Sequence, residues 1–394
     1  MALQPAAGAR DRNPREVDAN RRLSDQLAAV YRLWGYEEVA PPSVERLETL
    51  QAGGGIDGRE LVRLAADEPL GLRPEMTASI ARAACTRMAS QPRPLRLWSS
   101  GTVFRSGVSD SGGHRIDERL QSGVELLGSP EAATADDAEL LRLLLACLRA
   151  LGIGANQQPR LLLGHHGVLS ALLDQVPAEQ RTAVRKALTS FDPLALAGLQ
   201  LAPHQQQNLQ ALMRLRGAPE AVLVQLEQQL GPCRLLDELA ETLKAIAPAA
   251  AAQGVVIQFD PSFQPHFDLY DGLVLKLVCQ GPHAPLEIAS GGRYDALVGR
   301  FGGPAAGLGF GFQLEAIREL LGIEAAAPAR PAPTLVAYRD ASLLGDALAQ
   351  LEQLHGRGQR AELLTQPCAS RADAEGIAAE RGCADTLWLP LGTA

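Results

Sequence analysis

The amino-acid sequence predicts an α+β fold in two unequal parts: a strand-bearing core interrupted by a helical insertion, then a small C-terminal α/β domain. Three observations carry this. Strand-like apolar alternation flanks a stretch, about residues 161–252, in which leucine, alanine and glutamine dominate and helical spacing takes over. EAAAPARPAP (Glu324–Pro333) is a Pro/Ala-rich linker. Beyond it, strand and helix patterns alternate to the end, as in a small parallel α/β unit. The expected division is a core over 1–323, a linker over 324–333 and a tail domain over 334–394.

In order along the chain, Arg15–Leu33 reads as a helix, with Val17, Leu23, Leu27, Val30 and Leu33 at helical spacing and Gly35 as its stop. An extended segment, Tyr36–Pro42, follows. Prolines on both sides leave Thr77–Met88 as a short helix. Leu95–Phe104 and Gly123–Leu127 alternate like strands, and the polar, glycine-bearing stretch Arg105–Arg119 between them is expected as a hairpin loop. Asp136–Leu151 is a strongly apolar helix. Strand signals return at Val255–Phe259, Leu273–Val278, Leu286–Ile288 and Ala306–Phe312, the last running into a helix over Gln313–Leu321. The tail reads as strand Thr334–Tyr338, helix Leu343–His355, strand Arg360–Leu364, helix Ala372–Arg381 and strand Thr386–Leu389.

The bulk numbers exclude several classes. The 394 residues are 46% hydrophobic and 21% charged, an ordinary globular balance. The apolar runs are too short for a membrane span, and the N-terminus has no signal-like stretch, so the cytoplasm is expected. The net charge of −8 comes with no basic stripe, which argues against a dedicated nucleic-acid partner. The six cysteines are scattered with no CxxC pair, so neither a zinc site nor a disulfide framework is expected. The Gly307–Gly311 run lacks a following lysine and is no phosphate loop. No cofactor is expected.

A handful of residues stand out chemically. Glu75 and Glu125 suit an ammonium if they face a cleft, and Gln121 offers both donor and acceptor. Gly291 and Gly292 let backbone approach a ligand in a turn that Tyr294 would wall. The plainer account pairs Glu75 with an arginine and buries Tyr294 in the core.

Four segments in register tip the balance: RPEMTA (Arg73–Ala78), GTVFR (Gly101–Arg105) with LQSGVELLG (Leu120–Gly128), HFDLYDGLVLKL (His266–Leu277) and SGGRYDALVGRFGGPAAGLGFGF (Ser290–Phe312). Together they resemble the histidyl-tRNA synthetase catalytic core, which implies a class II aminoacyl-tRNA synthetase fold built on an antiparallel sheet. The first helix with GYEEVAPPSVERLETL (Gly35–Leu50) resembles that family's dimer-forming motif. The resemblance spans roughly residues 15–320 and implies a histidine pocket at Glu75, Thr77, Arg105, Gln121, Glu125, Tyr270, Gly291 and Tyr294.

The same alignment implies missing chemistry. Where the synthetases carry their catalytic arginine this chain has Pro265, and where an ATP-holding arginine ends the fourth segment it has Leu314. Gly107 replaces an acidic residue that helps read adenine, and Arg119 replaces an aromatic. Each lost charge-assisted contact to a transition state costs about 2.7–4 kcal/mol, so no useful adenylation is expected. Arg300 and Arg318 are the nearest displaced substitutes, and His114 and Arg115 are the remaining candidates to meet an anion. The tail, about 60 residues, is shorter than a full anticodon-binding domain.

A pocket retained without catalysis resembles the ATP phosphoribosyltransferase regulatory subunit family. That resemblance implies a short-form catalytic subunit as partner, feedback by histidine on the first step of histidine biosynthesis, a dimer built by the first motif and a hetero-octamer with the partner. A divergent histidyl-tRNA synthetase and a stand-alone histidine-binding module stand as alternatives.

Overall fold

The computed structural model describes residues 5–54, 58–108, 114–265, 269–322 and 331–390. The chain forms two compact units, Met1–Ala325 and Ala326–Ala394. Most of the expected linker Glu324–Pro333, and His266 to Asp268 of the third segment, lie outside the described residues.

Unit one opens with α1 (Pro14–Leu33), started by an Asn13–Glu16 capping box and by Pro14 in the first turn. Leu23, Leu27 and Val30 are buried, whereas Val17 and Leu33 of the same apolar series are exposed. Next come β1 (Glu37–Glu38), β2 (Val44–Arg46), α2 (Leu47–Ala52), β3 (Val62–Arg63), β4 (Leu70–Leu72) and α3 (Thr77–Cys85). β5 (Leu95–Val108) and β6 (His114–Leu127) form a long hairpin, followed by α4 (Ala133–Ala150) and β7 (Arg160–His165). The helices α5 (His166–Leu173), α6 (Arg181–Thr189), α7 (Pro193–Ala197), α8 (Pro203–Leu212), α9 (Pro219–Leu230) and α10 (Arg234–Gln253) then lead to β8 (Val256–Phe259). β9 (Leu273–Gln280), β10 (Pro285–Arg293), α11 (Asp295–Arg300), β11 (Leu308–Gln313) and α12 (Leu314–Leu321) complete the unit.

The central sheet runs β1-β5-β6-β11-β10-β9-β7-β8. Its six inner strands are antiparallel, while the outermost pairs, β1 with β5 and β7 with β8, are parallel. The expected antiparallel sheet is thus mixed at its rims. A second sheet, β2-β4-β3, lies apart from it in order.

Two boundaries differ from the sequence reading. Leu161–Leu163, placed in the helical insertion, belongs to strand β7, hydrogen-bonded on both sides. So short an apolar run fits a buried strand and a helical turn equally, and only pairing decides. The helical stretch therefore begins at His166. Arg105–Arg119, expected as loop, is mostly strand: pairing continues from Leu95↔Leu127 to Val108↔His114, and residues 109–113 lie outside the described residues. The arms are polar because this part of the ribbon is partly solvated, so core-type alternation never appears.

Strand alternation divides the sheet into a greasy face and a working face. On β6, Val124 and Leu126 are fully buried among Leu27 and Tyr31 of α1, and Leu140, Leu141 and Leu144 of α4. Gln121, Gly123 and Glu125, between them, point to the opposite face.

Unit two is a parallel sheet, β13-β12-β14, made of β12 (Thr334–Tyr338), β13 (Ala361–Leu363) and β14 (Asp385–Leu389). α13 (Leu344–Gly356) and α14 (Arg371–Glu380) provide its crossovers. Alternate residues of β12 serve two small cores: Leu335 and Ala337 pack with Ala374 and Ala378 of α14, Val336 and Tyr338 with Ala347 of α13.

Candidate ligand-binding cleft

The working face of the large sheet floors a cleft lined by both polar and apolar side chains. All eight residues singled out in the sequence line it: Glu75, Thr77, Arg105, Gln121, Glu125, Tyr270, Gly291 and Tyr294.

Glu125 is the centre. It accepts hydrogen bonds from Thr77 Oγ1 at 2.6 Å and Tyr294 Oη at 2.5 Å. Burial is the larger influence on its acidity, and the neighbouring Glu75 adds to it, so the carboxyl is pushed up to about 8. Glu75 sits at the start of α3 and accepts the backbone N–H groups of Thr77 and Ala78, the second at 3.1 Å. Those donors are the open end of a helix, where a carboxyl is favoured. Burial nevertheless raises its pKa above the ordinary value. The plainer reading, Glu75 paired with an arginine, is replaced by this helix-end contact.

Tyr294 is both core and wall, 1% exposed overall with its hydroxyl on Glu125. Tyr270 is also held neutral by burial, beside Glu125 and Glu75. Gln121 Oε1 is buried with no hydrogen-bond partner among the described residues, an acceptor left over in the cleft wall. Arg105 is the one cation among the described lining residues, 3.9 Å from Glu60.

The expected glycine turn is not a turn. Gly291 and Gly292 lie inside β10, and Tyr294 follows the strand as the N-cap of α11. Their smallness serves close approach: a β-carbon at Gly292 would sit 2.7 Å from the Tyr270 ring, and one at Gly291 would meet the β11 backbone. Gly309 does the same for Glu125, its register partner across β6–β11, and Gly311 leaves room for the Gln121 side chain. These two were missed as site residues. Glycines at every second position of a strand share one face, so the spacing Gly307, Gly309, Gly311 held the signal. Leu50, Gly53 and Leu269 complete an apolar part of the lining.

Other arginines are engaged elsewhere. Arg73 donates to the carbonyls of Pro41 at 2.6 Å and Thr102 at 2.9 Å. Arg293 is paired with Asp137 at 2.8 Å, and Arg318 with Glu16 at 3.2 Å and Asn20 at 3.0 Å. Arg300 donates to the Ala52 carbonyl. Leu314 is fully buried in the core of the greasy face. Arg115 pairs with Asp117 at 3.3 Å, while the side chain of His114 lies outside the described residues.

Chemically, two carboxyls and an amide acceptor against one guanidinium suit a small ligand rich in N–H donors with a single anionic group. Among the described residues no group of His, Cys, Asp and Glu could hold a metal ion, and no helix is long and apolar enough to cross a membrane.

Comparison with known proteins places this architecture. The histidyl-tRNA synthetase family model matches residues 8–317. The ATP phosphoribosyltransferase regulatory subunit of Synechococcus sp. (strain CC9902) is 50% identical, covering 99% of this chain and 100% of its own. That of Synechococcus sp. (strain RCC307) is 52% identical with the same coverage. The chain belongs to the ATP phosphoribosyltransferase regulatory subunit family. Within the wider synthetase-like fold, the crystal structure of an ATP phosphoribosyltransferase regulatory subunit/histidyl-tRNA synthetase from Bacillus halodurans C matches all of both chains, with a TM-score of 0.82 at 24% identity. The α+β class and the synthetase-like core read from the sequence agree with this family.

Proposed function

We propose that this chain is the regulatory subunit of an ATP phosphoribosyltransferase, activating a short-form catalytic subunit and carrying histidine feedback to it in the cytoplasm. The carrying observation is that Glu75, Thr77, Arg105, Gln121, Glu125, Tyr270, Gly291 and Tyr294 meet in one acid-walled cleft. Histidine fits its chemistry: an ammonium and a ring N–H for the carboxyls and Gln121 Oε1, and a carboxylate for Arg105.

Adenylation needs cations around a triphosphate. By the resemblance, Pro265, Leu314 and Gly107 would stand where the synthetases have charged groups. Arg318 and Arg300, the displaced candidates, are committed to Glu16 and Ala52, which weighs against a divergent synthetase. A dimer through the first motif and a hetero-octamer with the catalytic chains complete the reading. Histidine must then favour one arrangement of that assembly, since a ligand shifts an equilibrium only through differential affinity.

Calorimetric titration with histidine tests the pocket, with Glu125→Ala as control. Mixing with a short-form phosphoribosyltransferase tests the partnership by stimulated activity. Histidine-dependent ATP–pyrophosphate exchange by the purified chain would overturn the reading. A chain that binds histidine yet neither associates with nor stimulates the catalytic subunit would instead be a stand-alone binding module.

A further inference from the structure

β11 ends at Gln313, opposite Gln121, so β6 continues outward with an open edge from Leu120 to His114. Unpaired backbone groups there would be left to solvent or to another chain. Three separate groups take them up in sequence. The Leu120 N–H donates to the Glu315 carboxylate at 3.0 Å, the Glu118 carbonyl accepts from Arg12 Nη2 at 3.4 Å, and the Ile116 N–H donates to the Ala7 carbonyl at 3.0 Å. Arg12 also pairs with Glu315 at 3.1 Å, tying the two covers together.

The fit is close. Gly8 has φ +90°, and a β-carbon on it would lie 2.4 Å from the Ile116 carbonyl oxygen. The other edge of the hairpin is held as well: Phe104 N–H donates to the Arg73 carbonyl at 2.9 Å and Ser106 N–H to the Glu60 carbonyl at 2.7 Å. Arg105, the cleft's cation, lies between those two and directly opposite Asp117, which is itself flanked by Ile116 and Glu118.

We infer that Ala7–Arg12 is a positioning strap for the cleft: by clamping the outer half of β6 it seats Arg105, on the strand opposite, in the cleft wall. Arg12 and Gly8 are positioning residues that act through the hairpin and touch no ligand. The proposed reading enters only through the choice of histidine as probe.

The test compares Arg12→Ala and Gly8→Val, with Arg12→Lys as the conservative variant, in the full chain. Amide hydrogen exchange is followed without ligand, and histidine affinity by calorimetry. In Arg12→Ala and Gly8→Val the amides of 103–108 and 115–120 exchange about tenfold faster, while those of β9 and β10 keep wild-type rates. If the hairpin is then seated in about a tenth of molecules, the apparent Kd for histidine rises about tenfold. Arg12→Lys restores both readouts. Unchanged hairpin exchange overturns the inference, as does acceleration spread evenly through the core. Faster hairpin exchange with unchanged affinity overturns it too, leaving only an edge cover. Should the wild-type chain bind no histidine, the pocket reading fails on its own, and unchanged or evenly spread exchange in the variants still overturns the strap.

Discussion

Gly309 and Glu125 face each other across the β6–β11 register so closely that a β-carbon on the glycine would lie 1.8 Å from Glu125 Oε2. The central acid of the cleft thus lies flat over a neighbouring strand, in space only glycine leaves. Gly309→Ala is expected to drive the carboxyl off Thr77 and Tyr294 and to lose histidine binding, with about 1–3 kcal/mol of overpacking cost. Calorimetry and denaturant unfolding measure the two effects; retained affinity would show that Glu125 does not need this pose.

Glu125 also sets a pH dependence. Its carboxyl is raised to about 8 in the folded chain from an ordinary 4.5, so the folded state binds the extra proton in that window. Stability from the neutral form is complete below pH 4.5 and is lost as pH rises through about 8. Relative to Glu125→Gln, the wild-type chain should therefore weaken between those limits and run parallel outside them. Denaturant unfolding at a series of pH values provides the comparison.

The same proton is linked to the ligand. An ammonium beside Glu125 favours the charged carboxylate, so histidine binding at neutral pH should release a proton. Titrations in buffers of different ionisation enthalpy detect it. Glu125→Gln should abolish the release and lower affinity by about 1.5–3 kcal/mol, the worth of a hydrogen bond to a charged group.

Arg318 and Glu16 form a pair with side chains 6% and 5% exposed. Asn13 holds Glu16 from its other side and, more than any other neighbour, keeps its pKa below the ordinary value. Arg10 also pairs with Glu16, at 2.7 Å, so Arg318→Met leaves the carboxylate a partner and should cost about 1–3 kcal/mol in urea unfolding. Histidine affinity at a temperature where the variant stays folded should be unchanged, because the pair lies outside the cleft.

Leu314→Arg restores the synthetase-type residue by sequence alone. Leu314 is packed in the core, so the variant buries a charge and is expected to lose stability without gaining ATP–pyrophosphate exchange. Measurable exchange would mean that the side chain can reach the cleft.

How far the sequence was legible depended on which physical signal each residue carries. Val124 and Leu126 alternate with Gln121, Gly123 and Glu125, and that period-two pattern survives in the letters. Motif order then gathered residues as distant as Glu75 and Tyr294, which no local pattern could bring together. What stayed hidden was pairing. The polar arms of the hairpin past Arg105 satisfy their backbones through partners, including Ala7 and Arg12, that only the fold brings near. β7 is recognisable by its two neighbours and not by its composition. Gly309 and Gly311 matter for what their missing side chains admit, which a reading of side chains passes over.

β7 and β8 run side by side although the whole helical stretch lies between them, so that stretch leaves and re-enters the sheet one strand apart. The ends of the stretch are thus near neighbours, and a flexible loop between its helices could double in length for only about 0.6 kcal/mol of closure entropy. The helices themselves are tied down, since Leu169, Leu188, Leu226 and Ile246 share the core that backs the sheet, so change is cheapest in the loops that join them. For the engineer the same doorway is a natural splice point, where a reporter domain could be grafted to read out occupancy of the cleft.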